Sequence, residues 1–183
     1  MTVGVAPGLP VVLRCICVTG PESTGKTWLA RQLAGLLGTA WAPEGSREYA
    51  ERMDRPLGFD DVGPIAREQM MLAAAASARA AALGAGTVVL DTDLVSTVVY
   101  ARHYYGAVPA WVLRAEREAR ADLYLLCDVD VPWVPDGVRD RPLGRATMFA
   151  RFRDALARRR ADTVVVRGDW EARWAIARQA AGG

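Results

Sequence analysis

The stretch CVTGPESTGKTWLA, residues 17–30, decides how this chain folds. It contains Lys26, the single lysine among the 23 lysine and arginine residues of the protein, placed between Gly25 and Thr27. Counted from Gly20, the spacing fits the pattern G-x-x-x-x-G-K-[ST]. Glycines in this pattern let backbone N–H groups turn inward around phosphate oxygens. Arginine is a rigid fork, too bulky to replace a slim ammonium group inside a closed backbone loop, which explains why a lysine is kept here.

The surroundings of this pattern support a phosphate loop rather than a chance match. The apolar run 11–19 predicts a strand buried on both faces, and residues 25–37 predict a helix whose positive end faces the bound anion. We expect Lys26 to reach the β- and γ-phosphates of ATP or GTP, and Thr27 to supply a hydroxyl group to Mg²⁺. The phosphate loop predicted to bind the nucleotide consists of Gly20, Pro21, Glu22, Ser23, Thr24, Gly25, Lys26 and Thr27.

Composition limits the class of protein. The 183 residues suffice for one domain with a substantial core, and a net charge of +2 does not indicate a large basic field for duplex nucleic acid. The three cysteines lie in apolar runs, as is typical of reduced thiols in a reducing compartment. We find no signal peptide and no run of the roughly 20 apolar residues that a membrane span needs. We therefore expect a cytoplasmic enzyme or NTPase that binds neither nucleic acid nor membrane.

Strands and helices are predicted to alternate along the chain. Residues 1–10 are predicted to be a leader, and residues 11–183 a single domain with a lid at about 133–147. Further strands are predicted at 39–44, 87–93, 122–130 and 163–168. Helices are predicted at 46–53, with Ser46 as the N-cap, and at 60–83, 94–105 and 109–121. One more helix is predicted to end at about residue 160, and a final helix is predicted from residue 169 onward. The alternation favours the α/β class, with a five-stranded parallel sheet flanked by helices as in P-loop NTPases and nucleoside or nucleotide kinases.

The predicted strand 87–93 ends in two acidic residues. Asp91 and Asp93 are two residues apart, so they point to the same face, at the strand end where parallel sheets meet their ligands. Asp91 could hold the Mg²⁺ shell while Asp93 addresses a substrate hydroxyl. The alternative is that acids at a strand end cap the next helix, as Asp93 could do for residues 94–105.

A second acidic group follows the predicted strand 39–44. Glu44 stands at the strand end, where a carboxylate could orient or deprotonate an attacking hydroxyl group. Arg47 and Glu48 follow on the predicted short helix. They either contribute to binding or form an ordinary surface pair.

The irregular stretch VPWVPDGVRDRPLGR, residues 131–145, stands where a kinase lid is expected. Arg139, Arg141 and Arg145 could close over the transferring phosphoryl group and neutralise its charge. Trp133 could stack on a flat ring. The alternative is a plain surface loop with solvated arginines.

Taken in order, five blocks of sequence resemble one known family. They are GPESTGKT, E-x-x-R-E-Y from Glu44, a helix with Gln69, LDTD with Thr97 nearby, and PWV-x-DG-x-R. This set is similar to the nicotinamide riboside kinase domain of bifunctional bacterial NAD-biosynthesis proteins of the NadR type, in the superfamily of P-loop kinases and AAA-like ATPases. The resemblance covers about residues 11–180. The phosphate loop is generic, and the ordered combination of the other blocks is more specific.

The resemblance implies transfer of the ATP γ-phosphate to the 5′-hydroxyl of nicotinamide riboside, which gives nicotinamide mononucleotide. It implies that Lys26 and Thr27 serve ATP and Mg²⁺ and that Asp91 belongs to the metal site. The residues it places around the riboside are Glu44, Arg47, Asp93, Trp133 and Asp136, and those it places in the lid are Arg139 and Arg141. Either Glu44 or Asp93 would meet the reacting hydroxyl group.

The resemblance leaves one difference from the family and two alternative functions to consider. Unlike the bifunctional members, this chain carries no adenylyltransferase or DNA-binding segment before the kinase region, so we expect no adenylylation of the mononucleotide. The acceptor could instead be another nucleoside or a small hydroxyl compound. A protein of a different class, a regulatory P-loop NTPase that acts through a partner, would need no second cavity for an acceptor.

Overall fold

The structure is a computed structural model that describes residues 12–132 and 144–182. Within them, five strands form one parallel sheet in the order β2-β3-β1-β4-β5. The strands are β1 (Arg14–Thr19), β2 (Trp41–Ala42), β3 (Thr87–Asp91), β4 (Leu123–Cys127) and β5 (Thr163–Val166). The α/β class and the five-stranded parallel sheet predicted from the sequence are confirmed.

Helices cover both faces of this sheet. They are α1 (Lys26–Leu36), α2 (Gly45–Met53), α3 (Val62–Ala82), α4 (Leu94–Tyr105), α5 (Ala110–Glu118), α6 (Arg145–Arg158) and α7 (Trp170–Gly182). A short 3-10 turn, Phe59–Asp61, leads into α3. Most predicted helices end within a few residues of the observed bounds, because glycines such as Gly38, Gly84 and Gly106 follow the helices in left-handed conformations that stop them.

The central strand β1 is apolar from Cys15 to Val18 because both its edges and both its faces are covered. Ile16, Cys17 and Val18 are fully buried, since β1 pairs with β3 on one side and β4 on the other. Cys17 packs into a core formed with α3, α4 and α6, whereas Ile16 and Val18 pack into a core formed with α1 and α7. Alternation of side chains along a strand therefore gives the domain two apolar layers, one on each face of the sheet.

Two local predictions are corrected by the structure. Ser46 is not the N-cap of α2: the cap is Glu44, and Ser46 lies inside the helix with its hydroxyl donating to Glu44 Oε1 at 2.7 Å. The strand predicted at 122–130 ends at Cys127, and beyond it Asp130 accepts from the N–H of Gly168 and from the guanidinium group of Arg173 on α7.

The three cysteines are free, with Cys17 and Cys127 buried and Cys15 half-buried. Burial is the main cause that raises the pKa of the Cys127 thiol to about 12, so these residues act as small apolar side chains. In the described parts of the chain, no helix has both the length and the apolar character required to cross a membrane.

Candidate active site

The phosphate loop lies between β1 and α1, at the carboxyl edge of the sheet. Gly20 has φ +131°, and a Cβ atom there would lie 2.7 Å from the carbonyl oxygen of Cys127 on β4. Gly25 has φ +80° at the N-cap of α1. Both positions need glycine, the first because the neighbouring backbone approaches so closely and the second because its φ is left-handed. The glycines of the pattern therefore have the structural role that the sequence predicted.

Two buried arginines fix the outer side of this loop. Arg173 on α7 donates from Nη1 to the carbonyl oxygen of Thr24 at 3.1 Å, and Arg145 on α6 donates from Nη2 to that of Ser23, also at 3.1 Å. In a trans peptide unit the N–H group points away from the carbonyl. The N–H groups of Thr24 and Gly25 consequently point away from the arginines, toward the open side of the loop.

Lys26 and Thr27 stand at the start of α1. Lys26 is buried, and its Nζ donates to the carbonyl oxygen of Pro21 at 2.7 Å. Thr27 Oγ1 donates to Asp91 Oδ2 at 2.5 Å, which joins the loop to the end of β3. The two residues that the sequence assigned to Mg²⁺ are thus neighbours.

Asp91 has the features of a cation ligand. It is fully buried, and its Oδ1 has no hydrogen-bond partner among the described residues. Burial raises the pKa of Asp91 to about 6, an effect that Lys26 opposes and Glu44 reinforces. A buried carboxylate oxygen beside a threonine hydroxyl suits Mg²⁺, which commonly takes one or two protein oxygens together with substrate phosphates. The residues present therefore fit the predicted metal.

A cavity of about 860 Å³ lies on the β2–β3 side of the sheet. It lies between the α2–α3 segment and α4. Polar and aromatic side chains share its wall with small apolar ones. The lining residues include Ser46, Glu51, Asp54, Arg55, Gln69, Thr92, Ser96, Thr97, Tyr100, Tyr104 and Tyr105.

The inner end of the cavity is linked to the phosphate loop through the residue that follows Asp91. Thr92 lines the cavity and directly follows Asp91. Gln69 of α3 is buried there: its Nε2 donates to the carbonyl oxygen of Thr92 at 3.1 Å, and its Oε1 accepts from the N–H of Gly45 at 2.8 Å. One side chain thereby ties α3 to the ends of β2 and β3, so the cavity floor is held by the same sheet edge as the loop.

Aromatic rings form one wall. Tyr100 and Tyr104 are one helical turn apart on α4 and stack with ring centroids 6.0 Å apart and planes 13° apart. Tyr105 lines the same cavity and donates its hydroxyl to the carbonyl oxygen of Leu57 at 3.0 Å. Such a wall suits a flat ligand ring.

The two candidate carboxylates have different surroundings. Asp93 caps α4: Oδ1 accepts from the N–H of Val95 at 2.9 Å, and Oδ2 accepts from the hydroxyl of Tyr124 at 2.7 Å. Neither Asp93 nor Glu44 is among the residues that line the cavity, but both carboxylate oxygens of Asp93 already have partners, which favours the capping alternative. Glu44 is also buried, yet it lies close enough to affect the pKa of Asp91. Arg47 is exposed on α2, and its charge also acts on Asp91.

Four predicted site residues lie outside the described residues: Trp133, Asp136, Arg139 and Arg141. Of the arginines in the predicted lid, Arg145 is described, and it begins α6 with its guanidinium group on Ser23 and Val131. The last three residues of the predicted lid, 145–147, therefore belong to α6.

Some site residues were missed by reasoning from the sequence. The i, i+4 spacing of Tyr100 and Tyr104 could have indicated an aromatic face on α4. Arg173 had no such signal, because an arginine in an amphipathic helix is normally exposed, whereas this one is 2% exposed. Its role depends on where α7 packs.

A glycine-bearing loop between a central parallel strand and a helix, with a lysine and a Thr–Asp pair at the helix start, defines a P-loop nucleotide-binding domain. The chain also matches the model of the AAA domain family over residues 15–173, and it belongs to that family.

Curated relatives agree with the resemblance to NadR-type proteins. The chain is 31% identical over 153 residues to the trifunctional NAD biosynthesis/regulator protein NadR of Salmonella typhimurium, and equally to that of Escherichia coli. The match covers 80% of this chain and 35% of each relative. The chain thus spans about a third of the length of these relatives.

Solved structures share the fold. A NadR protein crystallised in complex with NR has a TM-score of 0.77 at 23% identity, covering 94% of this chain and 50% of that one. A thymidylate kinase from Ehrlichia chaffeensis has a TM-score of 0.59 at 15% identity, covering 91% and 95%. At these identities the likeness concerns the fold alone, and it confirms a P-loop kinase-like architecture.

Proposed function

We propose that this chain is an ATP-dependent phosphotransferase that phosphorylates the 5′-hydroxyl of nicotinamide riboside to give nicotinamide mononucleotide. The observation that carries the proposal is the 860 Å³ cavity, whose floor residue Thr92 adjoins Asp91 and so the Thr27 end of the phosphate loop. A phosphoryl donor and an alcohol acceptor can then meet at one sheet edge. A relative crystallised with NR and one crystallised with NAD and AMP-PNP support this choice of ligands.

The cavity wall suits a riboside with a flat, positively charged ring. The stacked pair Tyr100 and Tyr104 offers an aromatic surface, and aromatic faces attract cations. Glu51 and Asp54 add negative charge at the exposed rim of the cavity. The hydroxyl groups of Ser96 and Thr97 on α4 supply hydrogen-bonding groups for a sugar.

The donor side is served by the phosphate loop. Lys26 leaves the carbonyl oxygen of Pro21 and binds the β- and γ-phosphate oxygens, while the loop amides hold the same tail. Thr27 and Asp91 would hold Mg²⁺. When bound, that ion neutralises charge on the β- and γ-phosphates.

Glu44 is the better candidate for the carboxylate that orients the acceptor hydroxyl. It follows β2 by two residues, its carboxylate accepts from the hydroxyl of Ser46 at the cavity edge, and its charge acts on Asp91. Asp93 uses both carboxylate oxygens to cap α4 and to accept from Tyr124. We therefore assign the orienting role to Glu44 and a structural role to Asp93.

The transfer itself requires alignment more than covalent chemistry. The primary hydroxyl of the riboside lies in line with the bond between the γ-phosphorus and the leaving oxygen, and a neighbouring carboxylate keeps it oriented. Exclusion of water from the cavity prevents waste of ATP by hydrolysis. Roles for Arg139 and Arg141 over the γ-phosphate, and for Trp133 and Asp136 beside the riboside, remain predictions from the sequence.

The direct test is to incubate the protein with Mg·ATP and nicotinamide riboside and to identify the product by mass. We expect nicotinamide mononucleotide together with an equal amount of ADP. Hydrolysis of ATP without a phosphorylated riboside would instead favour a regulatory NTPase. Faster phosphorylation of ordinary nucleosides than of the riboside would mean that the acceptor is wrong while the phosphotransferase class is right.

A further inference from the structure

Two tryptophans with exposed rings lie beside the phosphate loop. Trp170, the first residue of α7, is 50% exposed, and Trp28 of α1 is 39% exposed. Their ring centroids are 5.2 Å apart and their planes are 67° apart, an edge-to-face arrangement. Large apolar rings are costly to leave in water, so an exposed pair next to a binding loop suggests a contact surface for a ligand.

The Trp170 ring touches the loop itself. A Cβ atom at Gly25 would lie 2.5 Å from Cζ3 of Trp170, so the ring edge packs against the backbone directly before Lys26. Trp28 is one residue beyond Thr27, in the same first turn of α1. Both rings are therefore adjacent to the groups that would hold the phosphates.

The sheet order sets the direction in which a nucleotide must extend. The acceptor cavity lies on the β2–β3 side of the phosphate loop, so the γ-phosphate must face that side. The rest of the nucleotide then extends toward the opposite side, over β4 and β5. Trp170 stands at that end, four residues after the last residue of β5.

We propose that Trp170 stacks on the base of the bound nucleotide, with Trp28 supporting the ring edge-on. The inference rests on the proposed function, because the cavity fixes which way the phosphate chain points. Every base has a flat π-face, so stacking on an indole ring suits a nucleotide base without selecting one by hydrogen bonds.

Arg173 fixes the position of Trp170 relative to the phosphate loop. Its Nε donates to the carbonyl oxygen of Gly168 at 2.9 Å, and its Nη1 donates to that of Thr24 at 3.1 Å. The turn after β5 is also fixed by Asp169, which accepts from the N–H of Ala172 at 2.9 Å. The distance between Trp170 and the phosphate loop is thus set before any ligand binds, which reduces the entropy lost on binding.

Calorimetric titration with two probes tests the proposal. The probes are Mg·ATP and Mg·tripolyphosphate, which share the phosphate chain but not the base. We expect Trp170→Ala to raise the Kd for Mg·ATP about 5- to 100-fold, the loss expected for one base stacked on an aromatic ring, and to leave the Kd for tripolyphosphate within about twofold. Trp170→Phe should recover most of the affinity. Trp111→Ala, a tryptophan on α5 that packs against Arg67, is the matched control and should change neither constant.

Two results would overturn the proposal. Equal weakening of both probes by Trp170→Ala would mean that the ring only shapes the phosphate loop. An unchanged Kd for Mg·ATP would mean that the base lies elsewhere. The titration needs no acceptor, so a base site that depends on Trp170 would survive even if the riboside were not phosphorylated, and the two failures can be told apart.

Discussion

Lys26 is the residue on which the phosphate site depends most. Its Nζ is buried and rests on the carbonyl oxygen of Pro21, one of the residues of the phosphate loop. The two buried arginines beside the loop, Arg145 and Arg173, donate to its outer carbonyl oxygens. Neither can take over the charge of Lys26 on the inner side.

Lys26→Ala should therefore lower kcat/KM at least about 100-fold, the effect typical of removing one preorganised electrostatic group. Lys26→Arg is the matched variant, and it should be nearly as inactive, because the planar guanidinium does not fit the closed loop. ADP release in the presence of the riboside measures both. Full activity of either variant would contradict the site.

Glu44 and Asp93 can be separated by their effects on catalysis and stability. Glu44→Gln should lower kcat about 100-fold or more while the KM for ATP stays unchanged, because only the orientation of the acceptor is lost. Asp93→Ala should remove the cap of α4 and leave the Tyr124 hydroxyl without an acceptor for its proton, which costs about 1–3 kcal/mol of unfolding free energy. Steady-state kinetics combined with urea unfolding measures the pair. A catalytic defect in Asp93→Ala without loss of stability would reverse the assignment.

Tyr104 tests the aromatic wall. Tyr104→Ala removes the exposed member of the stacked pair and should raise the KM for the riboside about 3- to 30-fold, in proportion to the loss of one cation–π contact. The KM for ATP should not change. Tyr104→Phe keeps the ring and should behave like the unaltered protein. Equal effects on both substrates would mean that the ring does not contact the acceptor.

At the scale of elements, Asp61 joins the helices that form the cavity rim. Its carboxylate accepts from Arg55, from the N–H of Gly58 and from the hydroxyl of Tyr49 on α2, and it stands directly before α3. The hydrogen bond from Arg55 is the main cause that lowers the pKa of Asp61 well below its ordinary value of 3.8. The α2–α3 segment is therefore held by a charge that persists in mild acid.

This lowered pKa predicts how stability depends on pH. A carboxylate with a lowered pKa in the folded state stabilises the fold above its ordinary pKa, and the stabilisation is lost as the pH falls below that value. Asp61→Asn should thus cost about 1–3 kcal/mol at pH 7 and progressively less below pH about 4. Urea unfolding at several pH values measures the difference. Asp60→Asn, an exposed neighbour in the same turn, is the control. A cost that stays constant with pH would contradict the ionic role of Asp61.

Elements were predictable where local chemistry determines them. The phosphate loop and most helix ends follow from glycines and from the apolar pattern around them. The N-cap of α2 was misassigned to Ser46 because serine is a preferred N-cap residue. The helix follows β2 so closely that its N-cap is Glu44, two residues earlier. The end of β4 was overextended because valines alternate with aspartates after Cys127, a pattern that imitates a strand.

The arrangement of the site was less predictable than its motifs. The strand-end rule indicated Asp91, which ends β3, and Glu44, which follows β2 by two residues and acts on the pKa of Asp91. It could not distinguish Asp93, whose carboxylate is drawn inward by the hydroxyl of Tyr124 from a strand 31 residues further along. The cavity wall and the Arg173 contact likewise join segments that are distant in sequence, so only the packed fold reveals them.

At the scale of the molecule, one sheet edge gathers three sites. The phosphate loop lies at the centre after β1, the cavity lies toward β2 and β3, and the exposed tryptophan Trp170 lies toward β5. A donor nucleotide can then extend across one half of the edge while the acceptor occupies the other. A phosphotransferase needs this geometry, whereas a nucleotide switch needs no second cavity.

ADP release, measured with and without added acceptors, tests most directly whether the protein is a phosphotransferase. The acceptors are nicotinamide riboside, uridine, cytidine and adenosine. We expect ADP to form in proportion to added riboside, with the highest kcat/KM for nicotinamide riboside and only slow release without an acceptor. If ADP were released at the same rate without an acceptor as with nicotinamide riboside or any other acceptor, the protein would be an ATPase and not a phosphotransferase.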